Sequence, residues 1–600
     1  MHSDRRRSAF TSEFLIRVAI AWVLVSALLL AVNASAIASG RFPDPDDILR
    51  LVQVRDWIAG QGWYDVRQYR IDAPGGGVAM HWSRLVDLPL AGVIVALTPI
   101  IGSAAAETAA LIIVPLITLG LAMLLAARIA WRLLGEEEAT LTSLILALSV
   151  PVLFQLGPMR IDHHGWQIVC ALIAMNGLMA RSARIGGVVV GGALATALSI
   201  SIEALPLAAS FFAVLAWRWL RNRNDRVLLV TAIQAFSLGG IALFLAFRGL
   251  GDLATYCDAI SPVHLTLFTF GAVVLTALSR IEPVPRALLL GGFAMAGGGA
   301  LAILLLAAPQ CASGGFAELD PLVAKYWLTN VSEGRPVWDQ TLLTAAQYAV
   351  TPVIGLFAAF NLASRSHDWL RRFWTDYALI LAAAFLVAMF VARAGAVACV
   401  LAAPPLAWQV RQWLRAIRSM QRPAPRMAAM VAVAIALLPA LPVMLFANAI
   451  PAQAAFGGAK VVTSAPAPAL KASACETSVV AAQLNDLPPG EFYAPLDIAP
   501  DLLLGTGHSV LATGHHRGDA SMRILIETAL ATADEAHATL SSRGTQYVIA
   551  CPSLSELRNY ARIAPDGFVA NLLGETQPDW LVPLAIESDS GLRIWRVRPE

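Results

Sequence analysis

The chain has 600 residues, 57% of them hydrophobic and 14% charged, with a mean hydropathy of +0.65. So much apolar surface excludes an ordinary soluble globular protein, because hydrocarbon must cover most of it; the chain reads as an integral membrane protein. The formal net charge of +2 hides Arg-rich and Asp-rich loops and by itself says nothing about partners, among which no nucleic acid is expected.

Runs long enough to cross about 30 Å of hydrocarbon fall near 14–37, 106–130, 138–157, 166–181, 186–202, 205–219, 227–247, 264–280, 287–308, 345–363, 376–392, 395–410 and 427–449, about thirteen in all. The stretch 88–101 is apolar but short and interrupted by Pro89 and Pro99, and reads as a juxtamembrane or half-inserted helix. The loop charges support that register. Counting from Arg5, Arg6 and Arg7 inside, the alternate short loops hold Arg128 and Arg132, Arg181 and Arg184, Arg218 to Arg226, Arg280 and Arg286, Arg371 and Arg372, and Arg411 to Arg426, all on the side that positive charge selects as cytoplasmic. The first apolar run is too long for a signal-peptide core, so it is expected to stay uncleaved despite Ala34-Ser35-Ala36.

The first outer loop, within 38–104, opens with Asp44-Pro45-Asp46-Asp47. Asp44 is placed to cap a helix with Pro45 at its first position and Ile48, Leu51, Val52 and Ile58 on one face. Between two later spans lies Arg160-Ile161-Asp162-His163-His164. Carboxylates and imidazoles at a membrane edge are costly to desolvate and persist mainly where they bind a cation, a substrate or each other. Asp162 and His164 can converge on one cation, and with Asp44 they form a mixed oxygen and nitrogen set suited to Mn²⁺ or Mg²⁺. A plain helix cap and a plain polar loop are the competing readings. Arg393, flanked by spans, needs an anion or a snorkelling path to the interface, and Glu203, before Pro206, has no assignable partner in the sequence.

After residue 450 the character changes. Residues 451–474 form an Ala/Pro-rich linker, and 475–600 alternates short apolar strands such as Tyr547-Val548-Ile549-Ala550 with helical stretches such as 522–536, a small α/β domain outside the membrane. Residues 1–450 make the membrane domain. Cys170 and Cys399 fall within spans as buried thiols. Cys257, Cys311, Cys475 and Cys551 fall on the outer side, where an oxidising compartment allows Cys475 to pair with Cys551 and Cys257 with Cys311.

These residues together resemble the catalytic subunit of oligosaccharyltransferase, within the GT-C superfamily of glycosyltransferases that use polyprenyl-linked sugars. Asp44-Pro45 with Arg50 keeps the spacing of that family's first-loop motif, and Asp162-His163-His164 matches the Asp-x-His form of its second. Asn330-Val331-Ser332-Glu333-Gly334-Arg335-Pro336 is similar to the Ser-Val-Ser-Glu signature of its mobile fifth outer loop. The resemblance implies Asp44, Asp162 and His164 as metal ligands, Asp44 and Glu333 as the groups that orient the acceptor and take its proton, and Arg393 as the partner of the donor phosphate. Arg50, His163, Ser332, Glu203 and the outer-domain run His515-His516-Arg517 are secondary candidates.

The family's Trp-Trp-Asp, which grips the hydroxyl residue of the acceptor sequon, is absent from 450–600, where Gly490-Glu491-Phe492-Tyr493-Ala494-Pro495 occupies roughly that region. The resemblance thus carries the donor chemistry and leaves the acceptor open among protein, lipid and glycan. The expected activity is metal-assisted transfer of a sugar or oligosaccharide from a polyprenyl phosphate or diphosphate on the outer side of a bacterial inner membrane, with the N-terminus cytoplasmic and the C-terminal domain periplasmic. A lipid-linked-glycan flippase and a metal-independent glycan ligase or polymerase are the alternatives.

Overall fold

The computed structural model describes residues 10–281, 283–449, 475, 477–574, 577–586 and 591–599; the N-terminal arginines and the 451–474 linker of the sequence reading lie outside these. The described chain forms two compact units. One holds residues 10–37, 88–317 and 332–449, and the other holds 38–87, 318–331 and the described residues from 475 onward.

The first unit is helical because a chain without water partners must satisfy its backbone within each segment. Ten described helices are long and apolar enough to cross a membrane, among them Ser12–Val32, Ser103–Leu133, Ala183–Ile200, Arg286–Ala307 and Asp368–Phe390. An eleventh is reached if Glu136–Leu148 and Val150–Leu156, bent by 75° at Ser149, count as one broken span. The difference from thirteen has local causes. His164–Gly177 has 14 residues, too few to cross, and Gly395–Arg418, over the run expected at 395–410, carries Arg411, Arg415 and Arg418 and is not among the helices apolar enough to cross. The run expected over 427–449 divides into Pro423–Leu437 and Ala440–Ala449. The stretch 88–101, read as a juxtamembrane or half-inserted helix, belongs to one continuous 18-residue helix, Arg84–Ile101, that by length and composition could also cross. Apolar helices absorb internal prolines when neighbouring groups satisfy the backbone they release.

Small residues set a close helix–helix approach in this unit. Ala183–Ile200 lies against Arg226–Phe247, and a Cβ on Gly191 would stand 2.1 Å from the Ala232 carbonyl oxygen. With Gly187 four residues earlier meeting the Leu228 carbonyl, this is small-residue packing of the kind that joins helices in lipid. Cys257 and Cys311 are disulfide-bonded here, while Cys170 and Cys399 stay as buried thiols.

The second unit is α/β. Strands β1 (Arg67–Gln68) and β2 (Val78–Ala79) make an antiparallel ribbon. Strands β3 (Glu491–Tyr493), β4 (Ser509–Val510), β5 (Tyr547–Ala550), β6 (Leu581–Pro583) and β7 (Arg593–Val597) form a mixed sheet in the order β4-β3-β5-β7-β6. β4, β3 and β5 run parallel, and β7 runs antiparallel to β5 and β6.

Alternation along β5 builds both faces of its core. Val548 and Ala550 pack with Met522, Leu525 and Ile526 of helix Asp519–Leu530. Tyr547 and Ile549 point to the other face, with Leu49 and Val52 of helix Pro45–Ile58. The first-loop segment therefore shares a hydrophobic core with the C-terminal residues. Asp44 caps Pro45–Ile58 as its sequence predicts, accepting a hydrogen bond from the Asp46 N–H at 2.9 Å. Cys475 and Cys551 form the second disulfide.

Glu556 couples this unit to pH. The residue is partly exposed, but its Oε2 is enclosed, and Oε1 accepts a hydrogen bond from the Leu496 N–H at 3.2 Å. Burial, reinforced by Asp497, pushes the carboxyl up to about 8 from its ordinary 4.5. The folded unit thus holds a proton that the unfolded chain releases. Its stability contribution is complete below pH 4.5 and is lost as pH rises through 8. Hydrogen exchange at Tyr547–Ala550 is expected to speed up over that window, with a slope of up to about 1.4 kcal/mol per pH unit, and Glu556→Gln is expected to flatten the slope.

Candidate functional site

The sharp feature of the first unit is the turn joining Val150–Leu156 to His164–Gly177. Met159 adopts a left-handed conformation, φ 69°, and its N–H donates to the Leu111 carbonyl at 2.9 Å, anchoring the turn to helix Ser103–Leu133. Gly165 lets the next helix start close by, since a Cβ there would meet Leu156 Cδ2 at 2.9 Å and the Gln155 carbonyl at 3.1 Å. The turn delivers Asp162, His163 and His164 to one point: one ligand atom from each lies within 4.8 Å of the others, and all three are buried.

Asp162 is the hub. Its Oδ1 accepts from the His163 N–H at 2.6 Å and pairs with His163 Nδ1, and its Oδ2 lies 3.3 Å from His164 Nε2. Burial would raise the Asp162 carboxyl, but the two imidazoles, the His163 hydrogen bond and Arg160 outweigh it and hold the group well below its ordinary range. His164 is also lowered, from 6.5 to about 4, by burial first and then by His163, against the pull of Asp162 and Glu203. A carboxylate beside a neutral imidazole is a donor set ready for a divalent cation.

Two ion pairs belong to the same unit. Arg160 Nη2 stands 3.9 Å from Asp162 Oδ2 and 3.5 Å from Glu333 Oε1, so one buried guanidinium links the Asp162 turn to Ser332–Gly334. Arg160 Nε donates to Gln155 Oε1 at 3.2 Å, and its guanidinium lies over Phe154. Arg393, in the turn Ala392–Ala394, pairs with Glu203. The Ala392 N–H donates to the Arg335 carbonyl at 3.1 Å, tying that turn to the segment that carries Glu333. The Ser332 carbonyl accepts from Gln340 Nε2 at 2.6 Å, closing this short segment on itself.

The remaining predicted residues lie in the second unit. Arg50 is buried, pairs with Asp87 at 2.9 Å and stacks on Trp82. His515 and His516 sit with His81, and the Arg517 guanidinium donates to the Met80 carbonyl at 3.4 Å. Asp44 is the cap described above. Sequence reasoning missed Arg160 as a link and left Glu203 without a partner. The signal for the first was an Arg two residues before Asp162. For the second it was a lone acid and a lone arginine each beside an apolar run, with nothing to say that they meet.

No family model matches the sequence, and no curated protein matches it. Solved structures do match in three dimensions. The oligosaccharyltransferase AglB of the archaeon Archaeoglobus fulgidus, in complex with an inhibitory peptide and a dolichol-phosphate, superposes with a TM-score of 0.65 at 13% identity over 98% of this chain and 74% of its own. The Archaeoglobus fulgidus enzyme tethered to an acceptor peptide with an NVT sequon gives 0.63 at 13% identity, covering 93% and 72%, and its complex with Zn and sulfate gives 0.59 at 12%, covering 96% and 73%. The chain thus has the fold of an oligosaccharyltransferase, joining many apolar helices to an α/β unit.

Removing Arg160 would leave the Asp162 and Glu333 carboxylates without their shared cation. Arg160→Ala is expected to lower the stability of the first unit by about 3 kcal/mol, read as a fall in thermal midpoint in detergent, and Arg160→Lys is expected to recover part of it.

Proposed function

We propose that this protein is a membrane glycosyltransferase that moves a sugar or oligosaccharide from a polyprenyl phosphate or diphosphate to an acceptor, with a divalent cation held through Asp162 and His164. The observation that carries the reading is the buried Asp162-His163-His164 cluster, bordered by Arg160 with Glu333 and Arg393 with Glu203, on the oligosaccharyltransferase fold. The donor set fits the group, since a carboxylate and neutral imidazole nitrogens suit Mn²⁺, Mg²⁺ or Zn²⁺. The Zn of one structural neighbour and the dolichol-phosphate of another support the same reading.

When bound, the cation supplies Lewis-acid neutralisation of charge growing on the leaving phosphate oxygen. Arg393 binds the donor phosphate, exchanging the carboxylate of Glu203 for the anion. Glu333, held by Arg160, orients the acceptor and takes its proton. The bond from the sugar's anomeric carbon to the phosphate oxygen breaks, a bond from that carbon to the acceptor forms, and the lipid phosphate departs with the electron pair.

The chemistry lies on the periplasmic side of a bacterial inner membrane, with the N-terminus cytoplasmic and the α/β unit outside. The peptide acceptor of the neighbours makes a sequon peptide the first acceptor to offer. Because this chain lacks Trp-Trp-Asp, lipid and glycan acceptors are offered beside it.

Purified protein given labelled polyprenyl-linked saccharide and these acceptors is expected to form a labelled product that chelator abolishes and Mn²⁺ or Mg²⁺ restores; transfer that ignores chelator would remove the metal. Asp162→Ala and His164→Ala are each expected to slow transfer by roughly 10²–10³-fold. Arg393→Ala is expected to raise the KM for donor with partial rescue by Arg393→Lys, whereas Glu333→Gln acts on kcat.

A further inference from the structure

The second unit contains a trio of histidines that the transfer reaction does not use. His81 follows β2 by two residues, while His515 and His516 lie at the start of the turn His516–Gly518, more than 430 residues later in the chain. One ring nitrogen from each falls within 4.8 Å of the others, and His81 Nδ1 stands 3.0 Å from His515 Nε2. The three rings pack mutually, with centroids 4.8 to 5.1 Å apart.

The surroundings hold the trio in place. His515 is buried, His81 and His516 are partly exposed, and Trp82 packs edge-on against His515 at 5.2 Å. Trp82 is fixed in turn by the Arg50 guanidinium, 4.8 Å over its ring and paired with Asp87. On the other segment, the Gly518 N–H donates to the His515 carbonyl at 2.8 Å and Arg517 reaches the Met80 carbonyl, so the turn is tied to the backbone just before His81. Backbone and side-chain contacts therefore set the ring positions from both sides.

We propose that His81, His515 and His516 bind a zinc-class transition-metal ion that fastens residues 38–87 to the C-terminal half of the unit. Three imidazoles and no carboxylate among them select Zn²⁺, Cu²⁺ or Ni²⁺ and discriminate against Mg²⁺. Zinc–nitrogen bonds of about 2.0–2.1 Å in tetrahedral geometry place ligand nitrogens roughly 3.3 Å apart. The His81–His515 pair is close to that spacing already, and a small rotation of the partly exposed His516 ring brings in the third donor. Three protein ligands leave a fourth position for water or an exogenous group. This site is chemically distinct from the Asp162 cluster and does not depend on the transfer reading.

The test uses the full chain in detergent, with Asp162→Ala and His164→Ala combined so that zinc at the first cluster does not confuse the count. Chelator-stripped protein is titrated with Zn²⁺ and, separately, with Co²⁺. One tightly held equivalent of Zn²⁺, a tetrahedral Co²⁺ visible spectrum, and slower exchange of the amides around Val78–Ala79 and His516–Gly518 on loading are expected. His81→Gln or His516→Gln added to that background is expected to weaken binding by at least about tenfold. Zinc binding unchanged by either substitution, or no bound equivalent at all, would overturn the proposal. X-ray absorption on the zinc-loaded background protein covers the case in which a variant misfolds. Imidazole back-scattering supports the site, and coordination by oxygen or sulfur without it overturns the site.

Discussion

Everything at the candidate centre depends on keeping a charged carboxylate inside a helical unit that is otherwise apolar. Asp162 loses its water, and that cost is met by two imidazoles, a backbone N–H and the Arg160 guanidinium. An isolated carboxylate in such a place would take up a proton instead. The same network that makes Asp162 tolerable also arranges the neighbours: His164 is left neutral, Glu333 is tied in through Arg160, and the segment carrying Glu333 is hydrogen-bonded to the turn carrying Arg393. Electrostatic necessity thus brings carboxylates, imidazoles and guanidinium groups together in one network.

Lone charges in the first unit find partners in the same way. Arg218 bridges Asp225 and Asp376, each at 3.1 Å, and Arg411 pairs with Glu137 and Glu138. In a low-dielectric surround, a partner is the condition for the charge to persist. The Glu203–Arg393 pair differs in holding an arginine that the proposed reaction needs for phosphate, so the carboxylate acts as a stand-in that a more highly charged anion displaces.

Legibility followed range. Helices such as Arg226–Phe247 and Arg286–Ala307 were readable within a residue or two because a long uncharged run has no other stable form in lipid. Asp162-His163-His164 was readable because its members are contiguous, and the cap at Asp44 because capping is local. The 75° break at Ser149 was missed although Pro151, in the first turn of Val150–Leu156, is its local mark. Strand β5 showed its alternation, but β3 and β4, three and two residues long, carry too few positions for a period to show. Arg160 with Glu333, Glu203 with Arg393, and His81 with His515 join residues from distant parts of the chain, and one sequence offers no register between them. Where a known family's motifs supplied that missing register, residues such as Glu333 and Arg393 could be singled out; Arg160 and His81, which no motif named, were found only in three dimensions.

The interleaved make-up of the α/β unit has a consequence for biosynthesis. Leu49 and Val52 complete a core whose other half, Phe492, Tyr547 and Ile549, leaves the ribosome 440 to 500 residues later. At about 5–20 residues per second, that interval is roughly 20–100 s. Throughout it the Pro45–Ile58 helix presents its apolar face with no sheet to cover it, while span after span is being inserted. A nascent chain of this design invites chaperone attention at its Pro45–Ile58 segment, and a truncation that removes the last strands leaves that early helix as a sticky remnant.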